Sequence, residues 1–266
     1  MNLIKDLNLK KKLSMKINYE GRTMKYLIIN GSPRKKNTWK IVTQVKKNLE
    51  GDFEEIHLAK EDIPLCKGCF NCIMNGVNYC PHSDKIMPII EKIRACDGLI
   101  ITSPVYAMNV TALLKNFLDH TAYLYHRPEF FTKKALVAVS TAGAGHKEVS
   151  KYIDETLRHW GFNKVYKIAI ACGGKDKLET DKIDKTAKKF NEDVKSKKMH
   201  SPKLNDIIFF NVWKAMAQSD EPIEIDREYW IKTDFINHDF APEVKLGLFK
   251  KIFSKIMIRI FKIIFK

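Results

Sequence analysis

The chain has 266 residues, 45% hydrophobic and 29% charged, enough to bury one sizeable α/β core and carry an extension. No 18-residue apolar run occurs, so no membrane-spanning helix is expected, and the basic start lacks the apolar stretch and small-residue cleavage site of a secretory signal. The net charge of +16 sits mostly at the two ends, with six Lys/Arg against two acids in residues 1–23 and seven against none in residues 245–266. The body between them is only mildly basic and carries no zinc-finger or aromatic RNA-binding motif, so a nucleic-acid partner is not expected.

Residues 1–23 are polar with weak periodicity and read either as a disordered leader or as the product of a misassigned start codon. From Met24 onward, short β-branched runs alternate with amphipathic segments. Strands are predicted at Lys25–Asn30, Phe53–Leu58, Gly98–Thr102, Ala135–Ser140 and Lys164–Ala171. Helices are predicted at Thr38–Leu49, Asp84–Ala95, Val110–Leu124, Lys147–Trp160 and 176–198. This rhythm implies a three-layer α/β sandwich with a five-stranded parallel sheet. Residues 199–244 break it with Phe209, Phe210, Trp213, Tyr229, Trp230, Phe235 and Phe240, a density of aromatics that implies packing on the domain. Residues 245–266 form a basic amphipathic pattern, with Leu246, Phe249, Ile252, Phe253, Ile256, Ile260, Ile263 and Ile264 on one side of a helical wheel. Such a helix suits an anionic membrane surface; packing on the domain or on a partner subunit is the alternative.

Three segments following strands carry candidate chemistry. Asn30-Gly31-Ser32-Pro33-Arg34-Lys35-Lys36-Asn37-Thr38 turns at Gly31, offers hydroxyl and amide donors with a guanidinium, and leads into a helix N-terminus that favours anions. It lacks the ending of a Walker loop and the glycine spacing of a dinucleotide fingerprint. Ser103-Pro104-Val105-Tyr106 and Thr141-Ala142-Gly143-Ala144-Gly145 follow the third and fourth strands. In a sheet of order 2-1-3-4-5 those loops meet the first at the topological switch point, where open α/β sheets bind ligands.

Taken together, G-S-P-R-x-x-N-T and S-P-V-Y followed by Leu114-Lys115-Asn116-Phe117-Leu118-Asp119 resemble the flavodoxin-like NAD(P)H-dependent FMN reductase family over residues 24–198. The resemblance implies a flavodoxin-like fold in which Ser32, Arg34, Asn37 and Thr38 bind the FMN phosphate. It implies that Pro104, Val105, Tyr106 and Ala107 line the isoalloxazine ring, and that Thr141, Ala142, Gly143 and Gly145 close over its pyrimidine edge. NAD(P)H is the implied co-substrate, a small molecule or protein the electron acceptor, and a homodimer or homotetramer the assembly. Hydride transfer between nicotinamide and flavin requires no protein acid or base, so no catalytic side chain is nominated.

Cys66, Cys69, Cys72 and Cys80 read C-x2-C-x2-C-x7-C, with Pro81 next. In a chain without a secretory signal, which points to the cytoplasm, such a cluster implies metal or redox chemistry. The spacing resembles that of iron–sulfur flavoproteins, relatives of the reductases, and implies a 4Fe-4S cluster beside the flavin. Clusterless relatives carry a similar Cys-x-Gly-Cys-x-x-Cys segment; a zinc site or a redox disulfide is a further alternative. Cys96 and Cys172 read as small buried residues.

Overall fold

The computed structural model describes residues 22–173 and 180–266. Strand β1 (Lys25–Asn30) leads into helix α1 (Asn37–Lys46), then β2 (Asp52–His57), the cysteine segment, and α2 (Ser83–Ala95). Strand β3 (Gly98–Pro104), α3 (Ala112–His120), β4 (Lys134–Thr141), α4 (His146–His159), β5 (Lys164–Ala171) and α5 (Thr180–Lys195) complete the sandwich. The strands form one parallel sheet in the order β2-β1-β3-β4-β5. Central strands β1, β3 and β4 are buried on both faces, which is why they read as nearly continuous apolar runs, whereas the edge strand β2 alternates. Leu27 and Ile29 of β1 join α2, α3 and α4 on one face, and Tyr26 and Ile28 join α1 and α5 on the other.

Two predicted helices differ in extent. The one expected over Val110–Leu124 is split. Thr111 caps it by accepting from Leu114 N at 3.2 Å. Thr121 then turns its hydroxyl back onto the Phe117 and Leu118 carbonyls and stops α3, and the chain restarts as a single turn at Tyr123–His126. The helix expected over 176–198 appears as α5 from Thr180; residues 174–179 lie outside the described residues, as do residues 1–21 of the expected leader. Arg22 pairs with Asp97 at 3.0 Å.

After α5, helices α6 (Leu204–Met216) and α7 (Glu224–Lys232) build a third apolar cluster around Phe131, which belongs to the loop before β4. Phe210, Phe235 and Phe240 meet the Phe131 ring edge-on at centroid distances of 5.2 to 5.9 Å. The polar edges are stitched as well. Trp230 Nε1 donates to His126 O at 3.0 Å, and the buried Asp226 carboxylate takes both His126 Nδ1, at 2.8 Å, and Arg127. The same guanidinium reaches the Cys72 and Ile73 carbonyls at 2.5 and 3.1 Å, so α7 holds the cysteine segment through Arg127. Helix α8 (Leu248–Ile264) lies on α6, pinned where Asn211 Nδ2 donates to Ser254 Oγ at 2.8 Å. Among the described residues no helix is long and apolar enough to cross a membrane.

Phe131→Ala is expected to cost about 3–5 kcal/mol. Denaturant unfolding would measure that loss, and limited proteolysis would show residues after 198 cut first.

Candidate functional site

Asn30 ends β1 as a polar residue only 1% exposed. Its Oδ1 accepts from Thr102 Oγ1 at 2.9 Å and from Ser32 N at 3.1 Å, and its Nδ2 lies 3.0 Å from His57 Nδ1. One side chain thus ties the ends of β1, β3 and β2. Gly31 continues the knot, its N–H donating to Thr102 O at 2.9 Å and its carbonyl accepting from Thr111 Oγ1 at 2.6 Å. A Cβ on Gly31 would stand 2.8 Å from both Thr102 O and Leu114 Cβ, so the close approach of loop and helix requires glycine.

The first loop then turns around Ser32, whose hydroxyl donates to Arg34 O at 2.7 Å. Helix α1 opens with no side-chain cap and no acid in its first turn, and Arg34, Lys35 and Lys36 beside it are exposed. An uncapped helix start flanked by cations is a seat for an anion. Asn37 is exposed at that start. Thr38 is turned inward instead, with its hydroxyl 2.6 Å from Ser140 Oγ at the end of β4. Ser32 and Thr38 therefore hold the loop's shape with side chains expected to face a ligand. Arg34 Nη2 donates to Tyr106 OH at 3.3 Å, joining the first loop to the second.

Beyond Pro104, Val105 N donates to Ser140 O at 2.9 Å, and Tyr106 and Asn109 exchange both backbone hydrogen bonds at 2.9 Å. Ala107 and Met108 at the tip have φ of +46° and +63°, the conformation a two-residue hairpin of this kind needs. The hairpin holds Tyr106 and Met108 at the surface. In the third loop Thr141 Oγ1 donates to Ala144 O at 2.8 Å, leaving Ala142, Gly143 and Ala144 exposed, and a Cβ on Gly143 would meet nothing within 4 Å. Gly145 has φ +85° and lies against the hairpin; a Cβ there would approach Val105 Cγ1 to 2.9 Å. All twelve residues expected in the three loops are thus brought to one sheet edge. The sequence reading missed Asn30, Thr111 and Ser140, which hold that edge together. Their signal was polar residues closing apolar strands or opening the helix after them.

Helix α3 connects this edge to the cysteine segment. Asn116 Oδ1 accepts from Cys66 N at 2.9 Å, Asn116 Nδ2 donates to Pro64 O at 3.1 Å, and His120 Nε2 lies 2.8 Å from Pro64 O. Cys66, Cys69, Cys72 and Cys80 line a single cavity of about 70 Å³, with His82 and His120 on its wall. All four are free thiols. Burial, followed by the neighbouring Cys80, Cys66 and Cys69, pushes the Cys72 thiol up, against the opposing Arg127. Cys80 Sγ lies 3.8 Å from His120 Nδ1, and the buried His82 Nε2 has no hydrogen-bond partner among the described residues. Among the described residues no three such side chains converge closely enough to hold one metal ion. Cys96 and Cys172 are buried elsewhere, and burial pushes the Cys96 thiol up to about 11. His146 opens α4 with its Nδ1 buried and unpaired among the described residues.

The sequence profile of NADPH-dependent FMN reductases matches residues 24–175. An iron-sulfur flavoprotein of Clostridioides difficile is 31% identical over 209 residues, which are 73% of this chain and 91% of that protein. Another from Archaeoglobus fulgidus is 29% identical over 222 residues, 80% of this chain and 100% of that protein. Among solved structures, an azoreductase from Bacillus anthracis is similar at 14% identity over 65% of this chain and 97% of its own, with a TM-score of 0.45. The parallel sheet of order 2-1-3-4-5, the three loops at its switch point and the profile match agree: the chain belongs to the NADPH-dependent FMN reductase family and is an FMN-dependent NAD(P)H oxidoreductase.

Proposed function

We propose that this oxidoreductase passes electrons from NAD(P)H through FMN and a 4Fe-4S cluster held by Cys66, Cys69, Cys72 and Cys80 to an acceptor outside the chain. The observation that carries the reading is the single cavity lined by all four cysteines and tied through α3 to the loop edge. A lone zinc ion would draw all four thiolates to one centre at about 2.3 Å. A cluster takes one thiolate per iron, so its ligands stand apart around a core. The names of the Clostridioides and Archaeoglobus relatives support the same choice.

At the loop edge, the amides opening α1, with Arg34, Asn37 and the turn shaped by Ser32 and Thr38, hold the phosphate. Pro104, Val105, Tyr106 and Ala107 offer an apolar edge to the flat ring. Thr141, Ala142, Gly143 and Gly145 bring backbone donors to its polar side, and the open space at Gly143 suits that approach. FMN held there would supply the exchange between two-electron hydride acceptance and one-electron release. Backbone donors of the third loop would stabilise negative charge at the pyrimidine edge of a bound flavin. Leu65, Phe70, Met74 and Tyr79 are exposed around the cysteines. That apolar rim favours a protein electron partner, and with it a second reading, a carrier fed by a ferredoxin-like donor. In either reading the chain works in the cytoplasm as a homodimer or homotetramer, with peripheral contact to the inner membrane surface through residues 245–266.

Anaerobically purified protein is expected to show a flavin spectrum, about four irons per chain, and bleaching by NADPH. Iron without bleaching by either nicotinamide would favour the carrier, and bleaching without iron or sulfide would remove the cluster. Cys69→Ser is expected to lose iron while keeping FMN.

Arg34→Ala is expected to weaken FMN binding roughly tenfold or more, from loss of a charge-assisted hydrogen bond, and to leave riboflavin binding unchanged. Fluorescence titration of the flavin-free protein measures both. Equal losses for the two ligands would place Arg34 away from the phosphate.

A further inference from the structure

Helix α8 has two apolar faces, and the protein covers only one. Phe253, Ser254, Met257 and Phe261 turn toward the body, with Ser254 fully buried between Asn211 and the Asp239 carbonyl. Lys250 Nζ fixes the helix start to Ser201 Oγ and Pro202 O at 2.9 and 2.6 Å. At 100° per residue the opposite face carries Leu248, Ile252, Ile256, Ile260 and Ile263. These are 41 to 77% exposed. Lys251, Lys255, Arg259 and Lys262 follow the same spacing and form a row along one side of that stripe. Among the described residues none of the four forms an ion pair, and residues 245–266 contain no acid.

An exposed apolar stripe calls for a partner, and the charge selects it. A second copy packed on the same face would double the cationic row with no acid in the segment to offset it. An anionic bilayer supplies both an apolar layer and the counter-charge. The helix is roughly 25 Å long at 1.5 Å per residue, and it is fixed along its length to α6, so it presents its side to a surface rather than its end.

We propose that α8 docks flat on an anionic phospholipid surface without leaving α6. Ile252, Ile256, Ile260 and Ile263 enter the boundary between headgroups and acyl chains, Lys251, Lys255, Arg259 and Lys262 bind lipid phosphates, and the Ser254 face stays on the protein. This rests on the peripheral contact proposed above and assigns the face that makes it.

The test is flotation of the full chain with vesicles of phosphatidylglycerol mixed with phosphatidylcholine, and with phosphatidylcholine alone. Binding is expected to be at least tenfold weaker to the neutral vesicles. Combined Ile252→Ser, Ile256→Ser and Ile260→Ser substitutions are expected to weaken anionic binding at least tenfold. So are combined Lys251→Gln, Lys255→Gln, Arg259→Gln and Lys262→Gln, with circular dichroism and flavin content unchanged in both sets. If the serine variant binds like the parent while removal of 245–266 abolishes binding, the helix uses its other face; the inference falls and the peripheral contact stands. If the full chain binds neither vesicle, both fall. If light scattering shows that the serine variant dissociates an assembly that never bound lipid, the stripe is a contact between copies and the inference is overturned.

Discussion

Everything at the ligand edge depends on one buried amide. A parallel sheet whose order reverses between β1 and β3 leaves three loops to meet without a covalent bridge. Buried polar groups must be paired, and Asn30 meets that demand by bonding to the strands on either side of its own and to the turn that follows. The Gly31 contacts and the Thr38–Ser140 pair extend the arrangement to α3 and β4. Hydrogen bonds within the protein thus fix the loops relative to one another, which lowers the ordering cost of binding.

Pre-organisation explains an apparent mismatch between residue type and role. Ser32 and Thr38 look like phosphate ligands in the sequence, yet their hydroxyls are engaged within the protein. What they fix is the course of the backbone into α1, and the phosphate seat we propose is made of main-chain amides at this uncapped helix start together with Arg34. Similarly, Gly145 contributes most through its absent Cβ, which lets the third loop lie against Val105 and Met108.

The sheet was legible because each central strand is an unbroken apolar run between turn residues, and because the chemistry-bearing loops follow β1, β3 and β4. The end of α3 was not, since Thr121 stops the helix through local hydroxyl bonds inside an otherwise helical pattern. Asn30 was visible as a letter but not as a hub, because its partners lie up to 72 residues away. The tail's wheel grouped Phe253 and Leu246 with the exposed isoleucines; the structure turns those two into the Phe131 cluster. Amphipathicity reports that a helix has an apolar side, and only a neighbour such as α6 reveals that it has two. The Arg127–Asp226 pair could not be read at all, since nothing local links residues 99 apart.

That pair has a thermodynamic consequence. Arg127 is buried with its carboxylate partner on α7 and two further hydrogen bonds to the Cys72 and Ile73 carbonyls. A buried ion pair that loses one member leaves an uncompensated charge, so the cysteine segment and the extension share one free-energy well. Linkage is reciprocal. An occupant of the cysteine cavity that favours this placement of the Cys72 and Ile73 carbonyls would also favour the Arg127–Asp226 pair, and the reverse would hold to the same degree. The apolar cluster of α6 and α7, most of whose residues lie beyond the family match, is thereby tied to the cysteine segment.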